Sequence, residues 1–262
     1  MSIAVVVLTH SRVHLLRQCV ENVLARASAE TGEIVIWDNA STDGTWEYLE
    51  SLGEARIRTV RHARNIGQSA YADAFGSTTS EYLVELDDDV IDAPPAWDRT
   101  LLEAFRRLPH VGFLAADLVD DEHDETAKAR YRVRPHLYMP FEENGVRLLT
   151  GPAAGMCAMT SREIYDRVGG FRRDKRVFWS EEGAYIQDIE KLGYAKAILA
   201  NLKVKHAGGA YYSEQPKEKV EFWRREERIQ ARKDAAKRAL LTVPLVRPMN
   251  RRRGWFKEPE PR

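Results

Sequence analysis

Four strand-like runs in the N-terminal third of the chain each lead into a cluster of polar residues, and that alternation restricts the fold more than any other feature. Residues 3–8 (Ile-Ala-Val-Val-Val-Leu) form a continuous β-branched run, as expected of a parallel strand covered on both faces. Leu15, Leu16, Cys19, Val20, Val23 and Leu24 follow at three- and four-residue spacing, which predicts a helix with one buried face. Residues 34–37 give a second strand ending at Asp38-Asn39-Ala40-Ser41-Thr42-Asp43-Gly44, and residues 56–61 a third, ending before Asn65-Ile66-Gly67. A helical segment to about Gly76 leads to a fourth strand at 82–86, and Asp87-Asp88-Asp89 follows it directly. Strand alternating with helix implies right-handed crossovers and a parallel sheet. Ligands of such sheets bind outside the carboxyl ends of the strands, where Thr9, Asp38, Asn65 and the aspartate triplet all fall.

Three adjacent carboxylates repel one another, so the triplet is costly unless a cation neutralises it. Carboxylate oxygens are hard ligands, which points to Mg²⁺ or Mn²⁺ and, with it, a phosphorylated substrate. Read in isolation, the triplet is equally an acidic strand end with solvated loop aspartates.

Several segments together resemble a known family. Val-Val-Leu-Thr-His-Ser-Arg (6–12), Asp-Asn-Ala-Ser-Thr-Asp-Gly (38–44), Asn-Ile-Gly (65–67) and Leu-Asp-Asp-Asp (86–89) resemble the successive signatures of family 2 glycosyltransferases with the GT-A fold. The similarity continues through Gly-Gly-Phe (169–171), Phe178-Trp179-Ser180-Glu181-Glu182, Gly193-Tyr194 and Lys205-His206-Ala207-Gly208, and so spans roughly residues 3–210. The resemblance implies an α/β fold: a Rossmann-like, mostly parallel central sheet flanked by helices. It implies an inverting, metal-dependent transfer of sugar from a nucleotide-diphosphate sugar, UDP- or dTDP-linked, to an acceptor hydroxyl.

By the same resemblance, Asp38 contacts the nucleotide base, and the triplet is the DXD motif, with Asp87 on the nucleotide-sugar and Asp89 on Mn²⁺ or Mg²⁺. His206 joins Asp89 as a metal ligand, and Glu182 is the general base. Thr9, Arg12, Asn65, Gly67, Asp88, Gly155, Trp179 and Glu181 complete the expected substrate- and nucleotide-binding set. The chain departs from the pattern twice. Glu182 stands where the family usually has aspartate, and Ala184 and Asp188 replace an acidic residue and an arginine in the following helix. The first change keeps a carboxyl group one methylene further out; the second leaves the acceptor open.

Other residues carry blander readings beside the functional ones. Asp120-Asp121-Glu122-His123-Asp124-Glu125 reads as a solvated acidic loop, and His10, His14 and His62 as local hydrogen-bonding residues. Gly151-Pro152-Ala153-Ala154-Gly155 either lets the backbone approach a sugar or makes a plain turn. Trp179 either stacks on a sugar or fills the core. Cys19 and Cys157 read as reduced core residues, in keeping with a cytoplasmic protein. The short apolar N-terminus is strand rather than signal peptide.

The expected organisation is a catalytic domain over 1–212, with a nucleotide-binding half (1–90) and an acceptor-binding half (91–212), and a helical basic extension over 213–262. Net charge is zero. Residues 224–257 nevertheless hold twelve Lys/Arg against three Asp/Glu, or +9, so the remainder sums to −9. Arg251-Arg252-Arg253-Gly254-Trp255-Phe256-Lys257 adds aromatics to that charge. The alternatives for this tail are a solvated helix, an assembly element for a homo-oligomer, or peripheral contact with an anionic membrane. Nucleic acid is not expected, because the core already points to phosphate-bearing sugars. Rival functions are a sugar-phosphate nucleotidyltransferase and an inactive nucleotide-sugar-binding module. The first would carry a glycine-rich loop after the first strand, and residues 10–14 contain no glycine.

Overall fold

The structure, a computed structural model, describes residues 2–214, 217–243 and 250. The chain divides into two compact units, Met1–Glu214 and Gln215–Arg262. The first opens with β1 (Ile3–Thr9), α1 (Val13–Arg26), β2 (Thr31–Asp38), α2 (Thr45–Glu50), β3 (Ile57–Arg61), α3 (Ala70–Gly76), β4 (Tyr82–Asp87) and β5 (Val90–Asp92). It continues through α4 (Trp97–Arg107), β6 (Val111–Leu118), α5 (Glu125–Lys128), β7 (Pro140–Glu143), β8 (Val146–Leu149), β9 (Cys157–Ser161), α6 (Arg162–Val168), α7 (Glu181–Lys191) and β10 (Ala195–His206). The described part of the second unit is α8 (Lys217–Leu241), a charged helix. Pro244, Pro248 and the basic aromatic run 251–257 lie outside the described residues. Among the described residues, no helix is long and apolar enough to cross a membrane.

The strand order is β3-β2-β1-β4-β9-β6-β10-β8-β7, with β5 pairing β10. The sheet is parallel from β3 to β4, as the alternation predicts, and mixed beyond it: β9 runs antiparallel to both β4 and β6, whereas β6 and β10 are parallel. The apolar run of β1 is explained by its central place, since Ile3 to Val7 are all buried. On α1, Leu15, Leu16, Cys19, Val20 and Val23 are buried, and Leu24 is half-buried at the edge of that face. Cys19 and Cys157 are buried free thiols.

Register places the site. Thr9 aligns with Asp38 across β1 and β2, and Leu8 with Asp87 across β1 and β4, so the polar strand ends meet at one edge. On the other side of β4, Asp87 N donates to Met156 O at 2.9 Å, which sets the 151–156 turn over the end of that strand. β5 pairs antiparallel with β10, and His206 aligns with Val90. The chain therefore returns, more than a hundred residues later, to the strand end that carries the aspartates.

Candidate active site

Asp87, Asp89 and His206 each offer one ligand atom within 4.8 Å of the others. Asp89 and His206 are buried, while the Asp87 side chain is 37% exposed and so faces the opening of the cluster. His206 Nε2 lies 3.1 Å from Asp89 Oδ1 and 3.8 Å from Asp87 Oδ2. Its other nitrogen, Nδ1, is 3.0 Å from Asp124 Oδ1, and Ala207 N holds the loop to Asp89 O at 2.8 Å. Burial alone would lower the His206 pKa, but the carboxylates of Asp89 and Asp124 outweigh it and push it up to about 10.

Asp124 belongs to the run that reads as a solvated loop, yet it is 1% exposed. The turn at Gly208 and Gly209 packs against this segment: Glu125 N donates to Gly208 O at 3.0 Å, and a Cβ on Gly208 would lie 2.2 Å from the His206 ring. Asp124 also caps α5 by accepting from Thr126 N at 2.9 Å. A histidine that presents one nitrogen to carboxylates and anchors the other on a buried carboxylate has the arrangement of an oriented metal ligand. Two carboxylates and an imidazole make a candidate donor set for a metal ion.

The middle aspartate has a different part. Asp88 is fully buried and accepts from Thr9 Oγ1 at 2.6 Å and from the Arg12 guanidinium, which also donates to Asp89 Oδ2 at 2.6 Å. Burial raises Asp88 most, Arg12 opposes that, Asp89 adds to it, and the carboxyl stands at about 6. Thr9, Arg12 and Asp88, all expected among the nucleotide-binding residues, thus form an internal brace. They fix the triplet at the head of α1, and Arg12 supplies part of the neutralisation that the triplet requires.

Asp38 is fully buried; it accepts from Ser41 N at 2.9 Å and lies 3.8 Å from Arg61 Nε. Asn65 Oδ1 accepts from Gly67 N at 2.8 Å and from Asn39 Nδ2 at 2.9 Å, and Asn39 Oδ1 accepts from Ile66 N at 3.0 Å. Gly67 has φ +59°, and a Cβ there would fall 1.8 Å from Val177 O. Its neighbour Gln68 donates from N to Val177 O at 3.2 Å and accepts from Trp179 N at 3.0 Å. Gly67 and Gln68 thus seat the loop after β3 against the segment that leads into α7, and Asn65 holds that loop in shape. Trp179 is buried, as its core reading has it. Asn39 and Gln68 are absent from the sequence-derived set; both lie beside residues in it, but their reach across the chain is visible only in three dimensions.

Acids also gather at the start of α7. Glu181 is buried and Glu182 half-buried. Glu85, on β4 and on the same face as Asp87, is 3% exposed. Glu85 is held well above the usual carboxylate range by burial and then by the charges of Glu181, Asp87 and Glu182. Burial also raises Glu182, with the Asp87 charge adding to it and backbone N–H groups opposing. Gly155 sits directly over Glu85, since a Cβ there would lie 2.4 Å from Oε1. The backbone approach expected at Gly155 is thus an approach to a carboxyl group of the protein. Glu85 was missed in the sequence, although a charge inside an apolar strand run is a legible signal.

Downstream, Asp188 pairs with Arg172, with Nε to Oδ2 at 2.6 Å, and with Lys191 at 2.9 Å. A cavity of ≈ 570 Å³ lies between α4 and β8, lined in part by Glu103, Arg106, Arg107 and Arg147. It contains none of the candidate site residues described above.

The glycosyl transferase family 2 model matches residues 4–169, which include Asp38, Asn65, the triplet and Gly155. The chain belongs to glycosyl transferase family 2. The match ends before Glu181, Glu182 and His206, so those positions rest on the geometry and on the resemblance of their local sequence.

Solved structures share the fold. A mannosyltransferase from Pyrobaculum calidifontis, in complex with GDP-Man and Mn²⁺, is 19% identical with a TM-score of 0.55 over 78% of this chain and 56% of its own. S. aureus TarS 1–349 is 14% identical, with a TM-score of 0.58 over 79% of this chain and 60% of its own. GalNAc-T7 with UDP, GalNAc and Mn²⁺ is 14% identical, with a TM-score of 0.56 over 79% and 44%. The fold is that of the GT-A glycosyltransferases. A curated relative from Sinorhizobium fredii, the uncharacterised protein y4gI, is 26% identical over 189 residues; the match takes in 66% of this chain and 21% of that one. The chain thus spans about a fifth of that relative's length.

Proposed function

We propose that this family 2 member is an inverting, metal-dependent glycosyltransferase that moves a sugar from a nucleotide-diphosphate sugar to an acceptor hydroxyl. The observation that carries the reading is the convergence of Asp87, Asp89 and His206 beside the acidic start of α7. Asp89 and His206, with Asp87 at the open side, would hold Mn²⁺ or Mg²⁺. Bound there, the cation would neutralise the charge that grows on the departing diphosphate. Two structural neighbours carry Mn²⁺ together with GDP-Man or UDP in their complexes, which supports a nucleotide-linked donor and extends the choice of base beyond uridine and thymidine.

On this reading Glu182 takes the proton of the acceptor hydroxyl as its oxygen bonds to the anomeric carbon. The bond from that carbon to the diphosphate oxygen breaks on the opposite face, so the centre inverts. A raised pKa suits a base that must accept a proton near neutral pH. Membership of the family removes the nucleotidyltransferase alternative, and an inactive binding module is distinguished by assay.

The test is calorimetry of UDP, dTDP and GDP with and without Mn²⁺, alongside hydrolysis of their sugar conjugates. Asp89→Ala should abolish Mn²⁺-dependent binding, with thermal melts to check the fold because the substitution also breaks the Arg12 pair, and His206→Ala should weaken binding less. Undiminished Mn²⁺-dependent affinity in Asp89→Ala would refute the site. Binding without any turnover would favour the inactive module.

A further inference from the structure

Among the described residues the Glu85 carboxyl receives no hydrogen bond, in contrast to Asp88, Asp98, Asp117 and Asp124. Asp98, fully buried, accepts from Ser28 N, Ser28 Oγ and Thr31 Oγ1 at 2.8, 2.7 and 2.6 Å. Asp88, Asp117 and Asp124 likewise have side-chain or backbone donors. Glu85 is 3% exposed, its Oε2 is without a partner, and the backbone at Gly155 closes over it. Glu181, 4% exposed, has an Oε2 in the same condition. Leaving such acceptors unmet is costly, so they are seldom found without a use. Ionised or protonated, a carboxyl keeps acceptor capacity that these surroundings do not fill.

Position says what could fill it. Glu85 precedes Asp87 by two residues on the same strand, so both side chains lie on one face of the sheet. The charges that act on Glu85 are Glu181, Asp87 and Glu182. It therefore borders the interval from Asp87, with which it shares a face of β4, to the acidic start of α7. In a direct displacement, that interval is where the transferred sugar must sit, because its anomeric carbon bridges the diphosphate and the acceptor oxygen. Among the described residues no cationic side chain is paired with Glu85, whereas Arg12 is paired with Asp88 and Asp89.

We infer that Glu85 is a specificity-determining residue that accepts hydrogen bonds from ring hydroxyls of the transferred sugar, with Gly155 kept free of a side chain so that the carboxyl can stay in place. This rests on the nucleotide-sugar reading above and names the part of the donor that the site reads. A donor with a hydroxyl aimed at Glu85 fills the empty Oε2 acceptor, whereas its deoxy analogue leaves it buried and unmet. Losing such a hydrogen bond, with its buried partner left unmet, lowers affinity by about 10–100-fold.

The experiment compares wild type with Glu85→Gln and Glu85→Leu by calorimetry in Mn²⁺. The probes are UDP, dTDP and GDP, their glucose, galactose and mannose conjugates, and the monodeoxy analogues of the conjugate that binds best. Both variants should bind the bare diphosphate within about twofold of wild type and lose roughly 10–100-fold toward the conjugate. One monodeoxy analogue should bind wild type that much more weakly, yet cost Glu85→Leu almost nothing further. Unfolding is not expected of these variants, since each removes a buried charge, and thermal melts verify that they are folded. Equal losses for diphosphate and conjugate would mean a structural role and overturn the inference. It also falls if every deoxy analogue costs wild type and Glu85→Leu alike, or if no conjugate binds wild type better than its diphosphate, although the nucleotide site then stands. Absence of any diphosphate binding in wild type overturns the functional reading itself.

Discussion

Asp124→Ala tests whether the acidic loop is part of the metal centre. The substitution removes the partner of His206 Nδ1, a 3.0 Å contact in which both groups are buried, and leaves the imidazole free to rotate. Losing such an outer partner typically lowers metal affinity by about 10–100-fold, equivalent to about 1.4–2.7 kcal/mol. It also removes the cap on α5, which costs a further 0.5–2 kcal/mol or so, or a few degrees in Tm for a unit of this size. The sign of the pH effect follows from the charges. Asp124 helps to hold the His206 pKa at about 10, so its removal also weakens the proton that competes with metal for Nε2. The apparent loss of affinity should therefore be smaller at pH 7 than at pH 8.5, where proton competition in the wild type is weaker. Asp124→Asn keeps an oxygen for Thr126 N and for Nδ1–H, so it should retain most of the stability and more of the affinity. Isothermal calorimetry with Mn²⁺ at both pH values, paired with thermal melts, separates the two effects. Wild-type Mn²⁺ affinity in Asp124→Ala at pH 8.5 would refute the argument.

Three further outcomes follow from the same geometry. Glu182→Gln should reduce transfer by roughly 10²–10⁴-fold with donor affinity nearly unchanged, and Glu181→Gln should do less; a larger loss from Glu181→Gln in a coupled turnover assay would reverse their roles. Gly67→Ala should lower Tm and weaken nucleotide binding together, because at φ +59° its Cβ would run into Val177 O and push the loop off the segment before α7; an unchanged melt would refute that close approach. The Glu85 carboxyl is raised on folding, so the folded state binds more protons than the unfolded one, and its penalty grows as pH rises through the raised pKa. Glu85→Gln should accordingly raise Tm more at pH 8 than at pH 5, and an equal or reversed difference would contradict the burial argument.

By itself, the sequence determined the parallel half of the sheet and the family. Those features rest on local patterns, namely β-branched runs, helical spacing and polar strand ends, and such patterns hold wherever the elements finally pack. It also identified Asp87, Asp89, Glu182 and His206 as candidates, because each lies in a short segment that keeps the family's order. What it could not supply was the direction in which each side chain points. Arg12 reaches both Asp88 and Asp89, but only the tertiary structure gives Asp88 the Thr9 hydroxyl and sets Asp89 beside His206. Asp124 read as solvated because its neighbours are polar; the return of β10 and the turn at Gly208 and Gly209 buried it. Glu85 was hidden inside a strand whose other residues fit the core. Only the antiparallel placement of β9, unforeseen from strand–helix alternation, brings Gly155 over its carboxyl. Local propensity acts over a few residues and can be read along the chain. Burial and charge pairing at this site depend on contacts between segments as far apart as β1 and β10, and those exist only once the sheet has formed.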